Sequence, residues 1–183
     1  MGKIIYKRAQ TVKELHQILA LQRANIPSVI SENEKQKEGF VTVHHTFEIL
    51  NAMNMKYPHV IATYEKKVIG YALCMLQDFK NEIEVLKPMF KKIDNYLKGD
   101  RSYLVMGQIC VDKTFRKQGI FRGLYDFMKQ ELRPDFDIII TEVDEANTRS
   151  MNAHYAIGFK VLYSYRSNNQ DWEILSWDIK TTN

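Results

Sequence analysis

The feature that most constrains the fold is a strand, a short basic loop and an amphipathic helix that follow one another directly. Residues 103–111 form an apolar run of strand length, residues 115–118 carry two basic side chains, and residues 119–132 place apolar side chains at helical spacing. The helix is expected to begin at or near Gln118. The apolar stripe of this helix consists of Ile120, Leu124, Phe127 and Met128. Because a helix of this kind buries its stripe against a neighbouring layer, the segment is typical of α/β proteins.

The loop before this helix has the properties of an anion site. The first N–H groups of a helix have no partner within the helix, and the helix dipole adds partial positive charge there. Gly119 leaves room for a phosphate at the backbone, and Arg116, Lys117 and Arg122 add positive charge nearby. The loop therefore predicts a phosphate or pyrophosphate ligand, although a Walker loop and a dinucleotide fingerprint are both absent. The alternative is that Gly119 and Gly123 only let the helix pack closely on the sheet.

Hydrophobic patterns along the rest of the chain predict the element order β, α, α, β, β, α, β, α, β, α, β, β. Thr11 and Glu14 predict a capping box at the first helix. Strands that alternate with helices in the second half favour an α/β sheet with helices on both faces, and the hairpins make that sheet mixed. We expect a single domain over residues 1–183.

Three expectations concern the segment after the first helix. Pro27 is expected to end that helix, because proline interrupts helical hydrogen bonding. Residues 31–39 are polar and charged, so they predict a loop or a short loose helix. Residues 40–43 predict a short extended stretch before a helix over residues 46–55.

The composition is that of a soluble globular protein. Lys and Arg total 26 against 22 Asp and Glu, so the net charge of +4 is too small and too scattered to predict a nucleic-acid partner. No secretory signal is visible and no apolar run approaches the roughly 18 residues that span a bilayer, so we expect no membrane partner and a cytoplasmic location. Cys74 and Cys110 lie in apolar runs without metal-ligand spacing, which predicts two buried reduced thiols and no metal.

Two segments of the chain resemble the GNAT acetyltransferase family. Residues 116–121, Arg-Lys-Gln-Gly-Ile-Phe, resemble the family signature Arg/Gln-x-x-Gly-x-Gly/Ala, with Phe121 in place of the usual Gly or Ala. Residues 147–159 begin with Asn-Thr-Arg-Ser and end with Gly-Phe, which is similar to a second family segment. We expect Phe121 to be tolerated if its side chain points into the core, because the phosphate contact uses backbone N–H groups.

The resemblance implies a GNAT-type mixed, mostly antiparallel central sheet of about seven strands, with helices on both faces and a splay between strands 4 and 5. It also implies acetyl-coenzyme A as the acyl donor, with the pantetheine arm along strand 4 and the pyrophosphate at the helix start. Asn147 would contact the pantetheine or orient its helix. The implied cofactor-binding residues are Ile109, Cys110, Val111, Arg116, Lys117, Gln118, Gly119, Ile120, Phe121, Arg122, Asn147 and Ser150.

The resemblance further implies an N-acetyltransferase in which a primary amine attacks the thioester directly in a ternary complex. Such a reaction needs a base, a backbone N–H for the thioester oxygen and a proton donor for the thiolate. The family places a Tyr donor four residues before the glycine of Gly-Phe, and this position is His154 here, with Tyr155 adjacent. We predict His154 as the donor, because its pKa suits proton transfer near neutrality. We predict Glu142, near the end of the fifth strand, as the base; a structural role is the alternative for both.

The acceptor is expected to be a small-molecule or peptide amine that the sequence does not identify. Asp144 and Glu145 are placed to attract a cationic amine, and His44 and His45 lie in the region of the acceptor wall, with an ordinary surface position as the alternative. The family often forms homodimers, which leaves a homodimer open. The competing function is a coenzyme A-binding sensor or interaction module without turnover. Four aromatic residues are expected in the core or on a sheet face: Tyr163, Tyr165, Trp172 and Trp177.

Overall fold

The computed structural model describes residues 2–25, 44–97, 99 and 101–180, and the predictions for Pro27, 31–39 and 40–43 lie outside these ranges. The strands are β1 (Ile5–Arg8), β2 (Val60–Tyr64), β3 (Lys67–Met75), β4 (Tyr103–Val111), β5 (Ile138–Asp144), β6 (Lys160–Ser167) and β7 (Gln170–Asp178). The helices are α1 (Val12–Arg23), α2 (Phe47–Lys56), α3 (Lys87–Leu97), α4 (Ile120–Leu132) and α5 (Thr148–Ile157). Short 3-10 turns cover Gln77–Phe79, Glu84–Leu86 and Lys113–Phe115.

The described elements follow the predicted order, and local signals explain several of their ends. The Thr11 hydroxyl accepts from the Glu14 N–H while the Glu14 side chain accepts from the Thr11 N–H, so the predicted capping box is confirmed. Helix α4 begins at Ile120 rather than near Gln118, because Gly119 has a φ of 78° and is in the left-handed region. A residue in that conformation cannot continue a right-handed helix toward the N-terminus.

The seven strands form one mixed sheet in the order β1-β2-β3-β4-β5-β7-β6. Of the described strand pairs, β4 with β5 is parallel and the others are antiparallel. This arrangement confirms the predicted GNAT-type sheet. The short turns at residues 65–66 and 168–169 join antiparallel neighbours, and their residues have positive φ, as tight hairpins require.

Strands β4 and β5 pair over only a small part of their length. Tyr103, Leu104 and Val105 lie opposite Ile138, Ile139 and Ile140. Beyond Val105, β4 continues along β3 to Val111, while β5 continues along β7 to Asp144. A register shift against β3 also falls in β4, where Ala72 faces Ile109 but Cys74 faces Met106. The two strands therefore part in the middle of the sheet, as predicted, and leave backbone groups of β4 facing the gap.

Helices cover both faces of the sheet. Helices α1, α2 and α3 bury Ile18, Leu50 and Phe90 on one face, which we call the α1 face. Helices α4 and α5 bury Leu124 and Met151 on the other, which we call the α4 face. The stripe residues Ile120, Leu124 and Met128 are all buried, as the helical periodicity predicts. The gap between β4 and β5 thus lies between two separate hydrophobic cores.

Two further expectations can be compared with the structure. Cys74 and Cys110 are both buried and free, as predicted, and burial raises the pKa of each thiol to about 12. In the described part of the chain, every helix is too short or too polar to cross a bilayer.

Candidate active site

A groove on the α4 face runs along the end of β4 and past the first turns of α4 and α5. Its empty space is about 860 Å³ when the open solvent at its mouth is counted. Ten of the twelve cofactor residues implied by the resemblance line it: Ile109, Cys110, Val111, Arg116, Lys117, Gly119, Ile120, Phe121, Asn147 and Ser150. The other two, Gln118 and Arg122, do not line the groove.

The start of α4 differs from the starts of α1, α2 and α5 because no side chain caps it. Thr11, Thr46 and Asn147 cap α1, α2 and α5 with side-chain oxygens, whereas Gly119 provides no such group. A side chain built on Gly119 would meet open space, with no atom within 4 Å. The first N–H groups of α4 therefore point to a region that a ligand can reach.

The second glycine of the loop-helix segment has a different role. A Cβ atom on Gly123 would lie 2.2 Å from the Tyr6 hydroxyl oxygen, so this position packs closely against β1. The packing interpretation of the two glycines therefore holds for Gly123 but not for Gly119, which combines a left-handed backbone with open space.

The basic side chains around the loop take separate positions. The Arg116 guanidinium donates to the Val111 carbonyl at 3.1 Å and to the Asn25 side-chain oxygen at 2.7 Å, so it ties the loop to the end of β4 and to the residues after α1. Arg122 donates to the Ala156 carbonyl at 2.7 Å, at the far end of α5. Lys117 is exposed and lines the groove. Of the three cations implied by the resemblance, Lys117 and Arg116 are thus at the groove.

Sequence reasoning missed four residues of the groove wall. Asn25, Phe115, Arg149 and Ala153 line it together with the predicted residues. Arg149 and Ala153 lie within the segment that resembles the family, so their positions on α5 offered a signal. Asn25 comes from the end of α1, and nothing local connects it with a loop 91 positions away.

Phe121 packs its ring into the core beside the groove. Its centroid lies 5.2 Å from that of Tyr125 and 5.2 Å from that of His154, with both pairs edge to face. The ring is therefore directed toward the α4-face core, while the Phe121 backbone stays in the first turn of α4. The expected tolerance for a large side chain at this position agrees with that geometry.

Asn147 and Ser150 connect the groove with a second cavity. The Asn147 side-chain oxygen accepts from the Ser150 N–H at 3.2 Å, so Asn147 orients α5 by capping it. Both residues, with Ile109, also line a cavity of about 430 Å³ between β4 and β5, which we call the splay cavity. The groove therefore continues into the gap in the sheet.

Glu142 lines the splay cavity from β5 and has a strongly perturbed carboxyl group. Burial raises the pKa of Glu142 to about 7, while a hydrogen bond donated by the Tyr165 hydroxyl acts in the opposite direction. Such a pKa suits a general base near neutral pH. Glu142 also borders a third cavity on the α1 face, so it lies where the two cavities meet.

His154 lies at the edge of the splay cavity but is only 1% exposed. Its Nδ1 is 2.7 Å from the Ser150 carbonyl oxygen, which requires Nδ1–H as the donor, so Nε2 accepts from the Tyr125 hydroxyl at 2.8 Å. Burial lowers the pKa of His154 to about 4, so the ring is neutral at physiological pH, and the near-neutral pKa expected from the sequence does not hold. Tyr155 is 42% exposed and lines neither the groove nor the splay cavity. Their roles as proton donors stay predictions.

Several aromatic and histidine residues can be compared with their predicted positions. Tyr165 packs against the α1-face core, as expected, and it also contacts Glu142, while Trp172 lines the splay cavity from β7. Trp177 does pack in the α4-face core. His44 is exposed, but His45 is buried and its Nδ1 lies 2.9 Å from the Gln22 side-chain nitrogen.

The described residues contain no group of three or more His, Cys, Asp or Glu side chains arranged to hold a metal ion. The donor types at the splay cavity, the carboxylates of Glu142 and Asp144 with His154 held in hydrogen bonds, do not form a ligand set. The expectation of chemistry without a metal stays a prediction.

Solved structures with the same fold include several N-acetyltransferases. The ribosomal-protein-S18-alanine N-acetyltransferase from Escherichia coli is 13% identical, with a TM-score of 0.66 over 99% of this chain and 97% of that chain. The NatC complex bound to Gag peptide and CoA gives 17% identity and a TM-score of 0.66 over 96% and 98%. Arabidopsis thaliana Naa50 in complex with the bisubstrate analogue CoA-Ac-MVNAL gives 14% identity and a TM-score of 0.65 over 96% and 98%. These similarities show the fold.

No curated protein sequence matches the chain significantly. The model of the acetyltransferase (GNAT) family matches residues 20–159, which include the splayed strands, the groove and both segments of the resemblance. This match covers well over half of the 183 residues. The seven-stranded sheet and the separation of β4 from β5 agree with this match, and the chain belongs to the GNAT acetyltransferase family.

Proposed function

We propose that the protein transfers an acetyl group from acetyl-coenzyme A to a primary amine by direct attack in a ternary complex. One observation carries the proposal: the groove at the uncapped start of α4 continues between β4 and β5 to a carboxyl group with a pKa of about 7. The groove offers a place for a phosphate-bearing donor, and the splay leads from that place to a base.

The donor half of the proposal rests on the start of α4. The N–H groups of residues 117–122 and the positive end of the helix dipole suit a pyrophosphate, and Lys117 adds charge at the groove. The backbone of Ile109, Cys110 and Val111 suits a pantetheine arm, because β4 is not paired with β5 there. Two structures with this fold are described as holding CoA or a CoA-containing analogue, which supports the same ligand here.

The acceptor half of the proposal rests on Glu142. Its carboxylate takes a proton from the attacking amine as the nitrogen–carbon bond forms and the carbon–sulfur bond breaks. A backbone N–H of the parted β4 stabilises the negative charge on the thioester oxygen. The departing thiolate then takes up a proton from a donor near its end of the splay.

His154 stays our proposal for that donor, with Tyr155 as its neighbour. The Nδ1–H of His154 donates to the Ser150 carbonyl, so proton transfer requires this hydrogen bond to open. The Ser150 hydroxyl lies 3.4 Å from the same nitrogen and lines both cavities, which gives a short path toward the splay.

The same geometry favours the second candidate function, a coenzyme A-binding module without turnover. Both ring nitrogens of His154 are engaged inside the core, at the position where the family has its Tyr donor. A protein that lacks an accessible donor at the thiolate can keep the cofactor groove and lose transfer. The two candidates differ in turnover and not in cofactor binding.

Thiol release from acetyl-coenzyme A with a panel of primary amines separates the two functions. Amine-dependent thiol release supports the enzyme, whereas tight coenzyme A binding without release for any amine supports the module. Absence of binding contradicts both. His154→Ala should lower release per folded molecule if His154 donates the proton, whereas Tyr155→Ala, on the exposed side of α5, should lower it if Tyr155 donates.

We also propose that residues 1–183 form a single domain located in the cytoplasm. One continuous sheet and two cores on its faces support a single unit within the described ranges. Limited proteolysis should give one resistant fragment, and fractionation should recover the protein with cytoplasmic markers. Light scattering will decide between a monomer and a homodimer.

A further inference from the structure

The third cavity lies on the α1 face, beyond Glu142 as seen from the cofactor groove. Its empty space is about 390 Å³ when the open solvent at its mouth is counted, and it is called the apolar pocket below. Its lining residues are Val85, Leu86, Met89, Val105, Met106, Gly107, Glu142 and Trp172. It shares Met106, Gly107, Glu142 and Trp172 with the splay cavity, so the two cavities meet at the carboxyl group of Glu142.

The lining of the apolar pocket determines which chemical group it can hold. Among the described residues that line it, Glu142 is the only titratable side chain, and the others present apolar or aromatic atoms or backbone. An apolar group transferred there from water is stabilised in proportion to the surface that it buries. A second charged group would lose its hydration without gaining a partner. The free energy lost in this way exceeds the free energy gained by burying carbon atoms.

The acidic residues that the sequence suggested for a cationic acceptor are not part of this pocket. Asp144 is 6% exposed, and its carboxylate accepts from the Ala146 N–H at 2.9 Å and from the Gln170 side-chain nitrogen at 3.0 Å. Glu145 is exposed and lines neither the splay cavity nor the apolar pocket. Among the residues that the structure describes, Glu142 is thus the one carboxylate at the inner end of the pocket, which suits one amine and not several.

We infer, on the basis of the proposed function, that the acceptor is a primary amine with an apolar substituent close to the nitrogen. The nitrogen lies at Glu142, and the substituent occupies the space among Leu86, Met89 and Trp172. Polyamines and amino sugars carry further positive charges or hydroxyl groups at the distance where these side chains lie. The pocket therefore selects against them.

The outer end of the pocket is polar and opens to water. Val85 is 45% exposed and borders both the apolar pocket and an outer cavity lined by Glu84, Lys87 and Lys91. Because Val85 is exposed, a polar substitution there changes the pocket without burying a new charge in the core. This makes Val85 the position for a specificity test.

A matched set of small amines tests the inference in the unmodified protein. The probes are 3-methylbutylamine and 2-phenylethylamine against ethanolamine and 1,4-diaminobutane, with kcat/KM measured by thiol release. We expect the apolar amines to exceed the polar ones by about 10- to 200-fold, as one or two buried carbon groups allow. Equal kcat/KM values for apolar and polar amines, or a higher value for the diamine, overturn this inference and leave the proposed function standing. No release with any amine overturns both.

The variant Val85→Asp should reduce the preference for apolar amines at least tenfold and raise kcat/KM for 1,4-diaminobutane. Met55→Asp is the matched control, because Met55 is 79% exposed on α2 and lines none of the cavities described above. Coenzyme A affinity, measured by calorimetry, should stay unchanged in both variants. A preference that is the same in Val85→Asp and in the unmodified protein overturns the inference.

Discussion

The two sides of the gap between β4 and β5 use different chemical groups: backbone N–H groups on one side and side chains on the other. On the donor side, one loop and one helix start supply backbone N–H groups, and Gly119 is important because it has no side chain. On the acceptor side, β5, β6, β7 and the residues before α3 each supply a side chain, among them Glu142, Tyr165 and Trp172. A backbone site tolerates many neighbouring sequences, whereas a side-chain site defines one chemistry.

This difference implies that the two sides should respond separately to substitution. A change at the start of α4 should alter cofactor affinity and leave amine preference alone. A change at Glu142 or the apolar pocket should alter turnover and leave cofactor affinity alone. A substitution that moves both properties together would contradict the comparison.

The largest effect is expected from Glu142→Gln, on the acceptor side. Loss of the base should lower kcat/KM about 100- to 10,000-fold at pH 8, with the coenzyme A dissociation constant unchanged within about twofold. In the unmodified protein, kcat/KM should rise with pH through about 7, because only the ionised Glu142 accepts a proton. Initial rates and calorimetry over pH 5.5–9 test both statements.

Tyr165→Phe is the matched control for Glu142. The Tyr165 hydroxyl donates to the Glu142 carboxylate and lowers its pKa, so its removal should move the pH midpoint of kcat/KM upward. A midpoint that does not move in Tyr165→Phe would exclude Glu142 as the group that sets the pH profile.

The next effect is expected from Gly119→Glu, on the donor side. A carboxylate at the start of α4 competes with a phosphate for the same N–H groups, so coenzyme A affinity should fall about 100-fold, near 2.7 kcal/mol. Gln118→Glu adds the same charge at a neighbouring exposed position outside the groove and should change affinity only a few-fold. Gly119→Ala controls for the left-handed backbone, at a φ of 78°. Equal losses in Gly119→Glu and Gln118→Glu would contradict the backbone site.

Buried histidines near both sides predict an acid-sensitive fold. Burial lowers the pKa of His45 to about 4, of His59 to about 3 and of His154 to about 4, from 6.5. Below pH 6.5 the unfolded chain binds protons that the folded state excludes, so the free energy of unfolding should fall as pH drops toward 4. The expected loss is roughly 1 kcal/mol per pH unit for each histidine. Urea denaturation at several pH values measures this loss. A free energy of unfolding that does not change with pH would show that the rings are protonated in the folded state.

The smallest effect is expected from Gly123→Ala, which sharpens the distinction between the two glycines. A methyl group there meets the Tyr6 hydroxyl, so stability should fall by about 1 to 2 kcal/mol while coenzyme A affinity is kept. Replacing Tyr6 with Ala in the same chain should recover part of the loss, because the clash is with the end of that side chain. Thermal unfolding gives the stability, and a loss of affinity in Gly123→Ala would place this glycine in the site.

The residues that line the groove at the start of α4 could be predicted from the sequence because their determinants are local. The strand that became β4, the basic loop and the glycine before α4 are contiguous, and each acts through backbone geometry that a short pattern encodes. The capping box at Thr11 and Glu14 is local in the same sense. The start of α4 was misplaced by two residues because the conformation of Gly119 is not visible in a hydrophobic pattern.

The acceptor side was largely missed because its residues meet only in the folded sheet. Tyr165 reaches Glu142 across 23 positions, and Trp172 and Leu86 come from still more distant elements. The pattern of β6 and β7 predicts aromatic side chains on a sheet, but it does not say which cavity they line. Similarly, Arg116 was assigned to a phosphate from its charge and from the resemblance, and its hydrogen bond to Asn25 depends on the residues after α1.

Amide hydrogen exchange with and without saturating coenzyme A tests the central claim most directly. The account predicts slower exchange at the amides of residues 117–122, together with those of β4 beyond Val105, when the ligand is bound. The amides of the capped start of α1 at Thr11–Glu14 serve as an internal reference and should not change. Binding of coenzyme A that leaves the exchange of residues 117–122 unaltered would contradict the account.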